Sequence, residues 1–327
     1  MTTTPFSHAL DWVRTHVDAG RLPVAVLGIA SADEVLALEA FGTDGGRTAH
    51  VDDRFSLYSV TKPLSALTAM RQVERGLLTT DTPLGMALPG IPAAHATLQN
   101  LLSHTSGISD VVLGEPQSLR EALRRAPLEF VTGTARRYNN LAWDGVAALV
   151  EHASGRSFHD EFAAMLADAG ATSMTFDIAG AHAVHDAELF DHDHDALMTL
   201  RHPAAGAVGS VGDLLAIGRS LLRGDGAVVA PATLEAMRRP RTEGLYVIDP
   251  NPVKVHEHFG LGFNLPRRPG LIDHSVFGHE GWTSTQFWIS PDRGLVLALG
   301  TNRINSWRPE VGIDFDELFN AVFAGAR

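Results

Sequence analysis

Apolar and polar positions fall into three stretches with different periods. From Thr4-Pro5, which reads as an N-cap with proline in the first turn, a helical pattern runs to Gly20. Two β-rich runs follow, Pro23 to Ala30 and Val35 to Phe41. Ser31-Ala32-Asp33 between them predicts a hairpin. Phe55 to Tyr58 leads into Ser59, and helical spacing then continues to Gly76.

From Leu78 to His202 the pattern is mainly helical, with long loops. Ser118 with Glu121 and Ser157 with Asp160 have capping-box spacing, and Asn140 to Ala153 predicts a helix between them. Ser210-Val211-Gly212-Asp213 caps another, to about Leu222. The last part returns to β-type runs at Leu261–Leu265, His274–Gly278, Ser284–Ser290 and Gly294–Gly300, then an amphipathic helix over Ile313–Phe323. Neighbouring strands with tight turns imply an antiparallel sheet. The expected class is α+β: residues 1–77 and 203–327 share one sheet flanked by helices, and 78–202 is an inserted helical domain.

Composition narrows the partners. There are 38 acidic against 26 basic residues, a net charge of -12, and no basic run with interleaved aromatics, so a nucleic-acid partner is not expected. With no cysteine, disulfides, thiolate metal sites and a Cys nucleophile are excluded. The segment after Met1 lacks the basic-then-apolar pattern of a signal peptide, and no apolar run approaches the roughly 18 residues of a membrane span. A cytoplasmic location with no membrane partner is the expectation.

Only two lysines occur, Lys62 and Lys254; the other basic residues are arginines. Lys62 follows Ser59 by three positions, so on a helix its amine and the hydroxyl share a face. A serine hydroxyl needs a base to become nucleophilic, and a lysine can be one where an arginine cannot. The same spacing also suits a helix start, with Ser59 as cap and Lys62 in solvent. Tyr138-Asn139-Asn140 offers a phenol able to move protons and an amide able to hold a carbonyl or the lysine, or else a turn before a helix. His279-Glu280-Gly281-Trp282 joins two strands. Gly281 would admit close backbone approach, and the Trp282 N–H could pair with that of Ser59 as an oxyanion hole; a plain β-turn is the alternative.

In this order and spacing, Ser59-Val60-Thr61-Lys62, Tyr138-Asn139-Asn140 and His279-Glu280-Gly281 resemble the three motifs of the serine β-lactamase and penicillin-binding protein superfamily. The nearest branch is the family VIII carboxylesterases, which look like class C β-lactamases. Leu101 to Ile108, Gly206 to Asp213, Phe277 to Trp282, Trp288 to Pro291 and Thr301-Asn302 extend the likeness over nearly the whole chain. The resemblance implies an α/β domain with an antiparallel sheet, an all-helical domain and a site between them. It also implies Ser59 as nucleophile, Lys62 and Tyr138 as proton handlers, Asn140 and His279 beside the substrate, and an oxyanion hole of Ser59 and Trp282 N–H groups after Gly281. No cofactor or metal is implied. The third motif departs from the β-lactamase pattern: His279 stands where a lysine would face the substrate carboxylate, and an unperturbed histidine is mostly neutral at pH 7.

The expected activity is hydrolysis of small esters through an acyl-enzyme. An amidase or D-peptide hydrolase, an acyltransferase or a weak β-lactamase would use the same site, and a catalytically silent penicillin-binding-like protein is the non-enzyme alternative. His182, His185, His192, His194 and His202 are expected on a solvated strand or loop, since no fixed zinc spacing is present. Gly260-Leu261-Gly262 lacks the rest of a dinucleotide fingerprint, and no Gly-x-Ser-x-Gly elbow occurs. Trp143, Trp282 and Trp307 are candidates for lining the pocket.

Overall fold

The computed structural model describes residues 6–111, 118–248, 257–267, 270–306 and 308–325. Thr4, Lys254 and Trp307 lie outside them. The chain opens with helix α1 (Ser7–Asp18) and the hairpin β1 (Val24–Ala30) and β2 (Val35–Asp44), then short strands β3 (Arg47–Thr48) and β4 (Arg54–Ser56). A 3-10 turn, Tyr58–Val60, leads into α2 (Thr61–Glu74). The middle of the chain forms α3 (Leu98–Leu102), α4 (Leu119–Arg125), β5 (Ala135–Arg136), α5 (Ala142–Ser154), α6 (Phe158–Ala169) and α7 (His194–Thr199). After β6 (Val208–Ser210) come α8 (Val211–Arg223), α9 (Pro231–Arg238) and β7 (Tyr246–Val247). The chain then forms β8 (Glu257–Phe259), β9 (Asn264–Pro266), β10 (Phe277–Glu280), β11 (Gln286–Ser290), β12 (Leu295–Thr301) and α10 (Phe315–Phe323).

Eight strands make one sheet in the order β3-β2-β1-β12-β11-β10-β9-β8, each neighbouring pair antiparallel. The first and last parts of the chain meet where β1 pairs β12, with Val26 opposite Gly300. Both faces are covered, so β1 and β12 are buried along their whole length. Alternate side chains serve different cores, as the two-residue period of a strand requires. Val24 and Val26 face the large core with α2, α5 and α8; Ala25, Leu27 and Ile29 face a second core under α1 and α10. Glycines let α8 approach closely: a Cβ on Gly28 would lie 2.5 Å from Val211, and one on Gly218 2.5 Å from Val296.

The caps read from sequence start their helices. Ser118 and Ser157 accept from the N–H three residues on, and Ser210 with Asp213 forms a complete capping box. The Leu261–Leu265 run is only partly strand, because residues 260–262 form a packed turn. A Cβ on Gly260 would meet the Met237 carbonyl at 2.0 Å, and one on Gly262 would meet Ala66 of α2 at 2.1 Å. These glycines serve backbone packing. β5 pairs with β7 in parallel and β4 with β6, so the central and C-terminal parts of the chain are joined beside the Ser59 turn. Among the described residues no helix is long and apolar enough to cross a membrane.

Candidate active site

The site grows from the join of β4 and α2. Because Ser59 and Lys62 are three residues apart at the start of a helix, their side chains share a face, and Lys62 Nζ donates to Ser59 Oγ at 3.0 Å. Lys62 is fully buried. Acceptors replace its lost water: Asn140 Oδ1 at 2.8 Å and the Ala204 carbonyl at 3.3 Å. Reading Lys62 as a solvent-facing residue is thereby overturned. The Tyr138 hydroxyl donates to Ser59 Oγ at 2.8 Å, and its ring centroid lies 4.6 Å from Nζ. One serine oxygen thus sits within hydrogen-bond reach of an amine and a phenol, each able to give or take a proton.

Three supporting residues were not singled out for a role at this site by the sequence. Asp110 accepts from the Asn140 side chain at 3.1 Å and from the N–H groups of Asn140 and Leu141 at 2.9 and 2.8 Å. Burial pushes its carboxyl up, while those backbone donors and Lys62 pull the other way. Asn140 is held at both ends, by Asp110 and by Lys62. His104, inside the Leu101–Ile108 stretch, stacks on Tyr138 with centroids 4.4 Å apart and accepts the Asn139 N–H at 3.1 Å. His202 accepts the Ala204 N–H on Nδ1 at 3.0 Å, behind the carbonyl that Lys62 uses. Burial, then the Lys62 charge, lowers its pKa to about 3, so it stays neutral beside the ammonium.

The third motif closes over the serine turn. Gly281 donates to the Thr285 carbonyl at 2.7 Å, and Thr283 Oγ1 donates to the Ser56 carbonyl at 2.8 Å, tying this turn to the strand before Ser59. A Cβ on Gly281 would come within 2.3 Å of the Leu57 carbonyl, so the position admits only glycine without displacement. His279 is buried, with its centroid 6.0 Å from that of Tyr138. Its Nδ1 lies 2.7 Å from the Glu280 carbonyl, which only accepts, so Nδ1 carries the proton. Of the tryptophans, Trp143 is fully buried in the large core, while Trp282 is half-buried and packs on Tyr58, Phe190 and His192.

The expectation of a solvated His-rich stretch is corrected. His182, His192 and His202 are buried. His182 pairs with Asp53 at 2.9 Å and His185 with Asp44 at 2.8 Å. His192 and His194 both reach the Tyr58 hydroxyl. Alternation in the sequence is not a strand: Asp193 caps α7, and His194 is its first residue. Among the described residues no group of three or more His, Cys, Asp or Glu could hold a metal ion.

A Ser-x-x-Lys pair with its lysine buried and a tyrosine completing it, between an antiparallel sheet and helices, defines a class of serine hydrolases. The chain belongs to the Beta-lactamase family, whose profile matches residues 10–318. It is 36% identical to Esterase EstB of Burkholderia gladioli over 166 residues, a stretch spanning 42% of each chain. It is 25% identical to monacolin J acid methylbutanoyltransferase of Aspergillus terreus, over 84% of this chain and 83% of that one. Among solved structures, a family VIII carboxylesterase superposes with a TM-score of 0.76 at 19% identity, covering 98% of this chain and 97% of the other.

Proposed function

We propose that the protein is a carboxylic-ester hydrolase acting on small esters through an acyl-enzyme on Ser59. Ser59 Oγ attacks the ester carbonyl carbon and its proton passes to the Lys62–Tyr138 pair, which accepts it with one member deprotonated, as neutral amine or phenolate. The oxyanion is received by the Ser59 and Trp282 N–H groups, and the pair then protonates the departing alkoxide. Water enters the acyl-enzyme by the same steps in reverse role, releasing the acid and freeing Ser59. The observation that carries this reading is the contact of Ser59 Oγ with both Lys62 Nζ and the Tyr138 hydroxyl.

The ester preference rests on His279. It stands in the third motif where a lysine would face a β-lactam carboxylate, and a histidine, unlike a lysine, is not a permanent cation near neutral pH. An ester presents no such group. Acyl transfer to an alcohol is a second reading, favoured by the transferase relative that matches across most of both chains.

A panel of p-nitrophenyl esters and anilides beside a cephalosporin tests the proposal. Short-chain esters are expected to turn over fastest, Ser59→Ala to be inactive, and mass spectrometry to find the acyl group on Ser59. Cephalosporin hydrolysis as fast as that of p-nitrophenyl acetate would refute the ester preference. An adduct elsewhere would refute the nucleophile.

A further inference from the structure

The residue before the nucleophile has a backbone that its side chain disfavours. Tyr58 has φ 44°, a left-handed value that crowds the Cβ of a bulky residue. A residue so placed persists only where its surroundings fix it. Here the surroundings are specific. The Tyr58 ring is fully buried, and its hydroxyl lies 3.0 Å from His192 Nε2 and 2.8 Å from His194 Nδ1. The same ring meets Trp282 edge-on at 6.0 Å between centroids, and His192 meets Trp282 at 5.0 Å.

A phenol has one proton to give and lone pairs to accept with, so it satisfies both imidazoles when one takes the O–H and the other donates N–H. The ionisation states agree with that sharing. Burial holds the phenol well above its ordinary pKa, and burial followed by the neighbouring His192 lowers His194 to about 4.

The cluster touches both residues whose N–H groups the proposed mechanism uses. The Tyr58 backbone leads directly into the peptide that carries the Ser59 N–H. Trp282, packed on the ring, carries the other donor. We infer that Tyr58, His192 and His194 form a positioning unit for the oxyanion hole, acting through the Tyr58–Ser59 peptide and the seat of Trp282. This inference rests on Ser59 being the acylated residue. It also gives a role to His192-Asp193-His194, which the proposed chemistry does not use.

The test compares Tyr58→Phe, His194→Leu and His194→Asn in the full chain. All rates are divided by the concentration of sites that a fluorophosphonate probe labels on Ser59. Asn keeps a polar atom at the position of Nδ1, whereas Leu removes it. Removing an oxyanion donor outright lowers kcat about a hundredfold or more, so loosening the support should lower it roughly tenfold. The expected result is that loss in Tyr58→Phe and His194→Leu, with KM within twofold and probe inactivation slowed in parallel, and near-normal kcat in His194→Asn. Wild-type kcat per labelled site in both Tyr58→Phe and His194→Leu overturns the inference, as does equal loss in the Leu and Asn variants. If Tyr58→Phe yields no folded protein, the two His194 variants decide alone. Failure of wild type to label at Ser59 removes the hydrolase reading itself and this inference with it.

Discussion

In the proposed mechanism, the chemistry at Ser59 depends on one amine being able to change its protonation state. Lys62 is fully buried and in contact with Ser59 Oγ, Asn140 Oδ1 and the Ala204 carbonyl. Arginine could keep the charge but not release a proton. Lys62→Arg is therefore expected to lose nearly as much ester hydrolysis as Lys62→Ala, with kcat down by roughly a hundredfold or more in both, as for loss of a proton-transfer group. Steady-state kinetics on an activated ester checks this; wild-type rate in the arginine variant would make Lys62 an electrostatic group only. That Ser59 and Lys62 meet was readable from their three-residue helical spacing, and that Tyr138 and Asn140 join them was anticipated from the resemblance to a three-motif family. Asp110, His104 and His202 were not. Each acts through another residue's backbone or amide, and such contacts leave no period in the chain.

At the level of elements, the serine turn and the β10–β11 turn work as one piece. Thr283 bonds the Ser56 carbonyl, and Gly281 packs against the Leu57 carbonyl. A methyl at Gly281 would lie 2.3 Å from that oxygen, and backbone cannot swing away as a long side chain can. Gly281→Ala is expected to push the two turns apart, lowering kcat about tenfold or more and stability by about 1–3 kcal/mol, the range for overpacking a tight site. Urea unfolding and kinetics on the purified variant measure the two effects, and an unchanged kcat would show that the turns move independently. The helices were readable because caps and apolar spacing are local. α2 was placed by its helical run to Gly76, α6 and α8 by Ser157 and Ser210. The short strands β5, β7 and β8 were not, since two or three residues carry no alternation and pair only with distant chain. The histidines misled for a related reason. Alternation in Asp191 to Asp195 imitates a strand, but what decides the local structure is the Asp193 cap and the buried Tyr58 hydroxyl.

At the scale of the molecule, the large core takes side chains from β1, β11 and β12 and from α2, α5, α6 and α8, so the sheet and the helices beyond it share one interior. That the chain's two ends would share a sheet was readable from strand order. How the histidine segment is fastened to that sheet was not, because its partners lie far away in sequence. Two carboxylates do the fastening. Asp44 accepts from His185 and Asn302, and Asp53 accepts from the His50 N–H at 2.8 Å, from His182 at 2.9 Å and from Arg47. Burial alone would raise the pKa of each; for Asp53 the bonds from His50, His182 and Arg47 outweigh it, and for Asp44 those from His185 and Asn302 do, so both end below the ordinary carboxylate value. A depressed folded-state pKa contributes stability that is fully present above the unfolded value and is lost as pH falls through the folded one. Asp53→Asn keeps the shape, removes the charge and turns one acceptor into a donor facing Arg47 or His182. It should destabilise the protein by about 1.5–3 kcal/mol at pH 7, the range for hydrogen bonds to a charged group. The gap between variant and wild type should hold down to about pH 5 and narrow below about pH 4, where wild type also loses the carboxylate. Denaturant midpoints at pH 7, 5, 4 and 3 test this directly: equal stability at pH 7 would mean that Asp53 does not fasten the segment, and a gap that stays constant into acid would mean that it does so without its charge.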